Sequence, residues 1–258
     1  MPERDRPLAI PGDLAAALAL LTRLPVPANI TVAQDRGAAA AWAYPLAGVA
    51  VGLFAGIAGL LTSALGLPAT AVAGVILLTS VAVTGALHED GLADTCDGLW
   101  GAWQPARRLE IMQDSRIGTY GVLALILALG LRWTALAAII ASGSLIAPVL
   151  AAAILSRAPM VVLMYALPNA RQTGLSRSTG RPSARTAGLA VGIALVLGMV
   201  LLGAKAIPVA LILTLATLAV AAIARAKIGG QTGDILGATQ QIGEIVVLLS
   251  LSAGLAGP

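Results

Sequence analysis

One short stretch gathers the residue types best able to do chemistry. His88-Glu89-Asp90-Gly91-Leu92-Ala93-Asp94-Thr95-Cys96-Asp97-Gly98 holds the single histidine and single cysteine of the chain, and four of its 12 acidic residues. It directly follows an apolar run ending at Leu87. Carboxylates beside a membrane span are costly unless a metal or a cationic group neutralises them. On a helix Asp90, Asp94 and Asp97 stand at i, i+4 and i+7. They then share one face within about 60° of arc, while Glu89 points elsewhere. Such a stripe suits a hard divalent cation, and Mg²⁺ binds through a few carboxylates plus substrate phosphates. Gly91 and Gly98 leave room for a ligand or a neighbouring backbone. The plainer alternative is a solvated helix start paired with nearby arginines. Cys96 alone excludes an internal disulfide and any multi-cysteine metal centre, and reads as a small packing residue. His88 alone excludes a multi-histidine site. It leaves one ligand, a phosphate contact, a proton carrier or a hydrogen-bonded helix-end histidine.

The elements that position this stretch are apolar. The 258 residues are 58% hydrophobic and only 11% charged, whereas soluble domains are about a quarter charged. Several runs reach the roughly 20 residues that cross a bilayer, and they are continuous rather than alternating, which excludes a β-barrel. The fold class is therefore all-α: a polytopic membrane bundle of about seven transmembrane helices, forming one domain over 1–258. Spans are expected over 38–65, 69–87, 119–141, 145–167, 186–203, 207–224 and 242–257. Residues 1–13 read as a polar start without a cleavable signal peptide, and 28–37 as a polar loop. Residues 14–24 are too short to span and end at Pro25 and Pro27, which suggests an interfacial helix or a lid. Gly48, Gly52, Gly56 and Gly59 recur at helical spacing, as a close-packing face requires. Arg132 and Arg157 fall inside spans. Arg132 reads as structural and Arg157, beside Pro159, as inward and ligand-facing.

With seven spans and the amino terminus inside, the loops carrying Arg107, Arg108, Arg116, Arg171, Arg177, Arg181, Arg185, Arg225 and Lys227 all lie on the cytoplasmic side, and only Lys205 falls outside. That alternation also brings the 88–97 stripe, Asp114 and the glycine-rich 229–244 stretch to one face. Carboxylates for Mg²⁺, arginine forks and glycine nests together suit a phosphate or diphosphate substrate. A remaining carboxylate or His88 can take a proton from an attacking hydroxyl. No Walker-type phosphate loop occurs, which argues against an ATP motor. The competing class is a secondary transporter of an anionic solute. It is disfavoured because the charges cluster on one face and no internal repeat is seen.

Asp94-x-x-Asp97-Gly98 partly resembles the opening of the CDP-alcohol phosphotransferase motif, but the rest of that motif is missing. A closer resemblance is to the cobalamin synthase (adenosylcobinamide-GDP ribazoletransferase) family. It rests on His88 to Gly98 and on Met112-Gln113-Asp114-Ser115-Arg116-Ile117-Gly118-Thr119-Tyr120-Gly121. It rests also on Leu21-Thr22-Arg23-Leu24-Pro25-Val26-Pro27 and on Gly229-Gly230-Gln231-Thr232-Gly233-Asp234-Ile235-Leu236-Gly237-Ala238. The resemblance implies the last assembly step of the cobalamin nucleotide loop, in a bacterial cytoplasmic (inner) membrane with the site facing the cytoplasm. Its partners would be adenosylcobinamide-GDP, α-ribazole or its 5′-phosphate, and the lipid bilayer, with no nucleic acid. Asp90, Asp94, Asp97, Asp114 and Asp234 are then expected as Mg²⁺ ligands. His88, Asp94, Asp97 and Asp114 are the candidates for catalysis. Arg116, Arg157, Arg171, Arg177, Gly230 and Thr232 are expected to hold the substrates.

Overall fold

A computed structural model describes residues 7–27 and 30–253. Positions 1–6 of the expected polar start, 28 and 29 of the expected loop and 254–257 of the last expected span lie outside these. Among the described residues the chain forms helices and no named strand. In order they are α1 (Pro11–Leu21), α2 (Ile30–Arg36), α3 (Tyr44–Ala64), α4 (Ala69–Thr84), α5 (Leu87–Gly101), α6 (Pro105–Ile111) and α7 (Thr119–Ala141). There follow α8 (Ile146–Leu155), α9 (Ala158–Ala166), α10 (Leu175–Thr179), α11 (Ala184–Leu202), α12 (Ala206–Ile228) and α13 (Gly233–Ser252). Pro11, Pro45, Pro105 and Pro159 stand in the first turns of α1, α3, α6 and α9, where a missing N–H costs nothing. Pro45 thus opens a helix rather than interrupting one.

Five helical stretches are long and apolar enough to cross a membrane, and a sixth if the bent pair α4–α5 is one span. One of the five, Ala184–Ile228, has 45 residues, about twice the length a bilayer needs. It consists of α11 and α12 joined by the turn Gly203–Lys205. Ala187 and Ala190 of α11 share a buried cluster with Ala224 and Ile228 of α12. A straight helix would hold those ends on the order of 50–60 Å apart, so the chain folds back there. Counting its two limbs separately gives six, and seven, the number expected from the sequence, if α4–α5 is also one span.

Several boundaries differ from expectation for local reasons. Of the expected 28–37 loop, Ile30–Arg36 is helical as α2. α4 stops at Thr84, because Gly85 and Ala86 are both left-handed, at φ 64° and 57°. The chain turns there by 88° into α5. The 145–167 span is broken at Ser156 and Arg157 into α8 and α9. α13 begins at Gly233, nine residues before the expected start at 242. Its polar residues Gln240, Gln241 and Glu244 are buried inside the bundle, so they did not need a loop.

The glycine face of α3 does pack closely. Gly48, Gly52, Gly56 and Gly59 are all buried. A Cβ on Gly48 would strike the Ala153 carbonyl of α8, and one on Gly52 would come within 3.0 Å of the Leu150 Cα. At the amino end Asp13 is fully buried. It accepts hydrogen bonds from Arg36 Nε (2.7 Å) and Nη2 (2.6 Å), Trp42 Nε1 (2.7 Å) and the Ile10 amide (3.0 Å). This fastens α1 to the end of α2 and to the Gly37–Ala43 segment that leads into α3. Burial pushes the Asp13 carboxyl up, but the bonds from Arg36, Trp42 and Ile10 together hold it below the usual carboxylate range.

Two stability outcomes follow. In thermal unfolding in detergent, Gly48→Ala loses about 1–3 kcal/mol through overpacking. Gly74→Ala, with nothing within 4 Å of the added carbon, loses none. Asp13→Asn leaves Arg36 buried without its carboxylate and costs about 3–5 kcal/mol. In the wild type the contribution of Asp13 is complete above its unfolded pKa of about 3.9 and fades as pH falls below it. Limited proteolysis at the α1–α2 connection, measured from pH 7 down to pH 3, reads that release.

Candidate functional site

The two left-handed residues that end α4 set the direction of α5. Left-handed Ala86 is strained for a residue with a Cβ. Gly85 is required, because a Cβ there would enter the Arg23 side chain. Arg23 also donates its backbone N–H to the Val83 carbonyl (2.7 Å), so the Leu21–Pro27 block buttresses this corner. α5 is helical throughout the acidic stretch, which puts Asp90, Asp94 and Asp97 on the expected stripe.

α5 then meets α13 glycine to glycine. A Cβ on Gly91 would lie 3.0 Å from the Asp234 carbonyl and 3.1 Å from the Gly237 Cα. This close approach brings Asp234 to the stripe. The Asp94 carboxylate lies in the fields of Asp234 and Asp90 and of the Arg171 guanidinium. Arg171 pairs with Asp234 at 2.9 Å. Thr232 caps α13, accepting from the Ile235 amide (3.3 Å), and its hydroxyl donates to Asp234 Oδ2 (3.1 Å).

Two loops are tied together behind this pair. The Ala170 amide donates to the Gln231 carbonyl (2.8 Å), and the Gln231 amide to the Pro168 carbonyl (2.9 Å). Gly230 is needed there, because any Cβ would collide with the Pro168 carbonyl. Ser176 Oγ donates to Gln231 Oε1 (2.7 Å), and Gln231 Nε2 to Asn169 Oδ1 (2.9 Å). Together these parts enclose a cavity of about 150 Å³ lined by residues of α1, α3, α5, α9, α10 and α13. His88, Asp90, Arg171, Arg177, Thr232 and Asp234 all line it. The expected convergence of the 88–97 stripe, Asp114, the arginine loop and the 229–244 stretch is thus present in part: Asp90 of the stripe, Arg171 and Arg177 of the loop and Gln231 to Asp234 meet at the cavity, while Asp94, Asp97 and Asp114 do not line it.

Other expected site residues stand apart. Asp97 turns to α7, where Oδ2 accepts from the Gly118 amide (2.6 Å) and Oδ1 from the Gly121 amide (2.9 Å). Its oxygens anchor the start of that helix. Asp114 is paired with its neighbour Arg116 at 2.7 Å on the exposed surface, and neither lines the cavity. The Arg116 side chain and amide hold the Asp114 carboxyl down to about 2. Arg157 is fully buried at the α8–α9 break, donates to the Ala153 carbonyl and lines no part of the cavity.

Glu89 does point elsewhere, into a buried polar network. Its Oε1 accepts from Arg132 (3.3 Å) and from Gln241 (3.1 Å). Arg132 also reaches Glu244 (2.9 Å). The Glu244 and Glu89 charges act on Arg157 as well. His88 is enclosed between cavity and network. Its Nε2 has no hydrogen-bond partner among the described residues, and the Arg157 and Arg132 guanidinium charges act on it.

Asp90 and Asp94 remain as carboxylates one helical turn apart with no hydrogen bond among the described residues, beside Asp234. Unpaired like charges at i, i+4 repel, and a cation between them removes that penalty. No three acidic, histidine or cysteine side chains are already gathered as a closed metal cage among the described residues. Mg²⁺ rarely uses such a cage. It takes one or two carboxylates with water and substrate phosphates, and the Asp90–Asp94 pair fits that demand. The sequence reading had Arg171 as a substrate contact and did not foresee its pairing with Asp234. It passed over Asn169 and Ser176, which carry no motif of their own.

A family description, cobalamin-5-phosphate synthase, matches residues 13–252. The chain is 48% identical over 243 residues to the adenosylcobinamide-GDP ribazoletransferase of Bradyrhizobium diazoefficiens, covering 94% of each. It is 43% identical to that of Sinorhizobium medicae, covering 93% of this chain and 95% of the relative. For that of Brucella canis the identity is 42%, with 93% and 96% covered. No solved structure matches the chain.

The role of Asp97 as an anchor can be read without any ligand. Asp97→Ala frees the Gly118 and Gly121 amides from charge-assisted bonds, each worth about 1.5–3 kcal/mol. Hydrogen exchange at these two amides should speed up tenfold or more, with no change at Ala170 and Gln231.

Proposed function

The chain belongs to the cobalamin-5-phosphate synthase family, and from that premise we propose how the site at α5 and α13 carries out the transfer. The protein is a transferase that assembles the nucleotide loop of cobalamin. Adenosylcobinamide-GDP and α-ribazole, or its 5′-phosphate, are joined and GMP leaves. The ribazole 3′-hydroxyl attacks the cobinamide-linked phosphorus. A P–O bond forms to ribazole, the P–O bond to GMP breaks, and one proton is released.

The observation that carries this reading is the pair Asp90 and Asp94, without a hydrogen bond among the described residues, beside the Arg171–Asp234 ion pair. Asp90 and Asp94 would hold Mg²⁺ against the diphosphate, with Asp234 next to them. Mg²⁺ held by these residues would supply charge neutralisation to the phosphoryl oxygens and to the leaving phosphate. Arg171 and Arg177 meet phosphate oxygens with planar forks. Arg171 is held in aim by Asp234, which in turn is held by Thr232. With Asp97 bound to amides and Asp114 bound to Arg116, the groups left to accept the hydroxyl proton are Asp94 and His88. The arginine-rich loops gathered at this end of the bundle support a cytoplasmic face in a bacterial inner membrane.

The test is GMP release and cobalamin formation by purified protein given both substrates. We expect product only with Mg²⁺, none with a chelator, and a fall in kcat of roughly 100-fold or more for Asp94→Asn. Folded protein that makes no product from either form of ribazole would overturn the reading.

A further inference from the structure

The lining of the cavity beside the acidic stripe is of two kinds. Asp90, Arg171, Arg177 and Asp234 are charged. Leu21 of α1, Tyr44 of α3, Met160 and Met164 of α9 and Leu236 of α13 belong to one apolar cluster with Leu87 of α5 packed against it, and they give the cavity a largely carbon wall. Phosphates gain nothing from carbon walls, because an anion needs partners. One part of the reacting molecules does suit them. The base of ribazole is a flat dimethylated benzimidazole, with two fused rings and a single free ring nitrogen. We propose that the carbon wall of this cavity is the seat of that base and that α1 forms part of it. The proposal rests on the transferase reading above.

The whole cavity, its charged lining included, has about the volume that holds one benzene ring, so a two-ring base needs the wall to yield. Met160 and Met164 supply that yielding. They sit one turn apart on the same face of α9, and unbranched thioethers adapt to, and attract, aromatic rings. The guanine of the other substrate fits worse. Its several polar edge atoms would lie unpaired against leucine and methionine. The amides nearby are not an open reading edge, since Asn169, Ser176 and Gln231 already bond one another. The α1 wall is fixed in place by the Asp13–Arg36 pair. A base seated against the carbon wall directs its ribose toward Asp90, which lines the same cavity, and so toward the stripe where the hydroxyl reacts.

The experiment is calorimetric binding of α-ribazole and, separately, GMP to the full chain in detergent, together with KM for each substrate. Met164→Trp fills the seat. It should weaken α-ribazole binding and raise its KM at least tenfold, while KM for adenosylcobinamide-GDP stays within twofold. Benzimidazole riboside lacking both methyl groups should bind wild type roughly tenfold more weakly. If Met164→Trp instead weakens GMP and raises KM for adenosylcobinamide-GDP, the seat belongs to guanine and the proposal falls. If neither substrate is affected, the cavity holds lipid or nothing, and it falls as well. Wild-type protein that binds α-ribazole but makes no product, with binding lost in Met164→Trp, leaves the seat standing and removes the transferase reading. Should Met164→Trp not fold, Leu20→Trp fills the same space from the partly exposed side of α1 and is held to the same outcomes.

Discussion

Arg132 is the joint on which the site depends. From α7 it reaches the carboxylates of Glu89 on α5 and Glu244 on α13, and it is almost completely enclosed. With Arg157 the network holds two cations and two anions, so the charge closes locally. Such a cluster in an apolar bundle is poor evidence of stability in itself, since desolvation offsets much of the attraction. Removing one member is a different matter, because it leaves an uncompensated charge. The network therefore sets the register of α5 on α13. That register brings Gly91 against Gly237 and delivers Asp234 to Asp90 and Asp94.

The helices around this joint are broken where the site needs it. α4 turns sharply at Gly85 and Ala86, which frees α5 from the direction of its span. α8 gives way to α9 at Arg157, where an arginine is taken into the network. Neither break is looseness. The first is held by Arg23 and the Val83 carbonyl, the second by the Ala153 carbonyl and the Glu244 and Glu89 charges. Irregular backbone at membrane depth is tolerated only where protein satisfies it, and here it is satisfied.

Much of this was legible in the sequence. The spacing of Asp90 and Asp94, the glycine face of α3 and the separate reading of Glu89 follow from helical periodicity alone. The motif blocks singled out His88, Thr232 and Asp234, and the placement of charge put the Arg171 loop on the same face. What periodicity does not carry is partner choice across long separations. Asp97 shares the stripe, yet two amides of α7 engage its oxygens. Asp114 matches a motif, yet its nearest cation is its neighbour Arg116. Asp13 and Arg36 gave no signal, because a single acid and a single base 23 residues apart look like surface charges until the fold buries them. The early start of α13 was hidden for a related reason. Gln240, Gln241 and Glu244 read as loop when their partners are unknown.

The composition of α13 has a consequence for how the protein is made. Its mean hydropathy, 1.4, is the lowest of the apolar stretches, against 2.5 for the pair α11–α12. A helix that carries Asp234, two glutamines and Glu244 enters lipid poorly by itself. It becomes comfortable there only once Arg132 and Arg171 are waiting. Both belong to segments that leave the ribosome earlier. Membrane insertion of the last described helix and completion of the charged lining of the cavity are thus one event, and a nascent chain has no working site until that event has occurred.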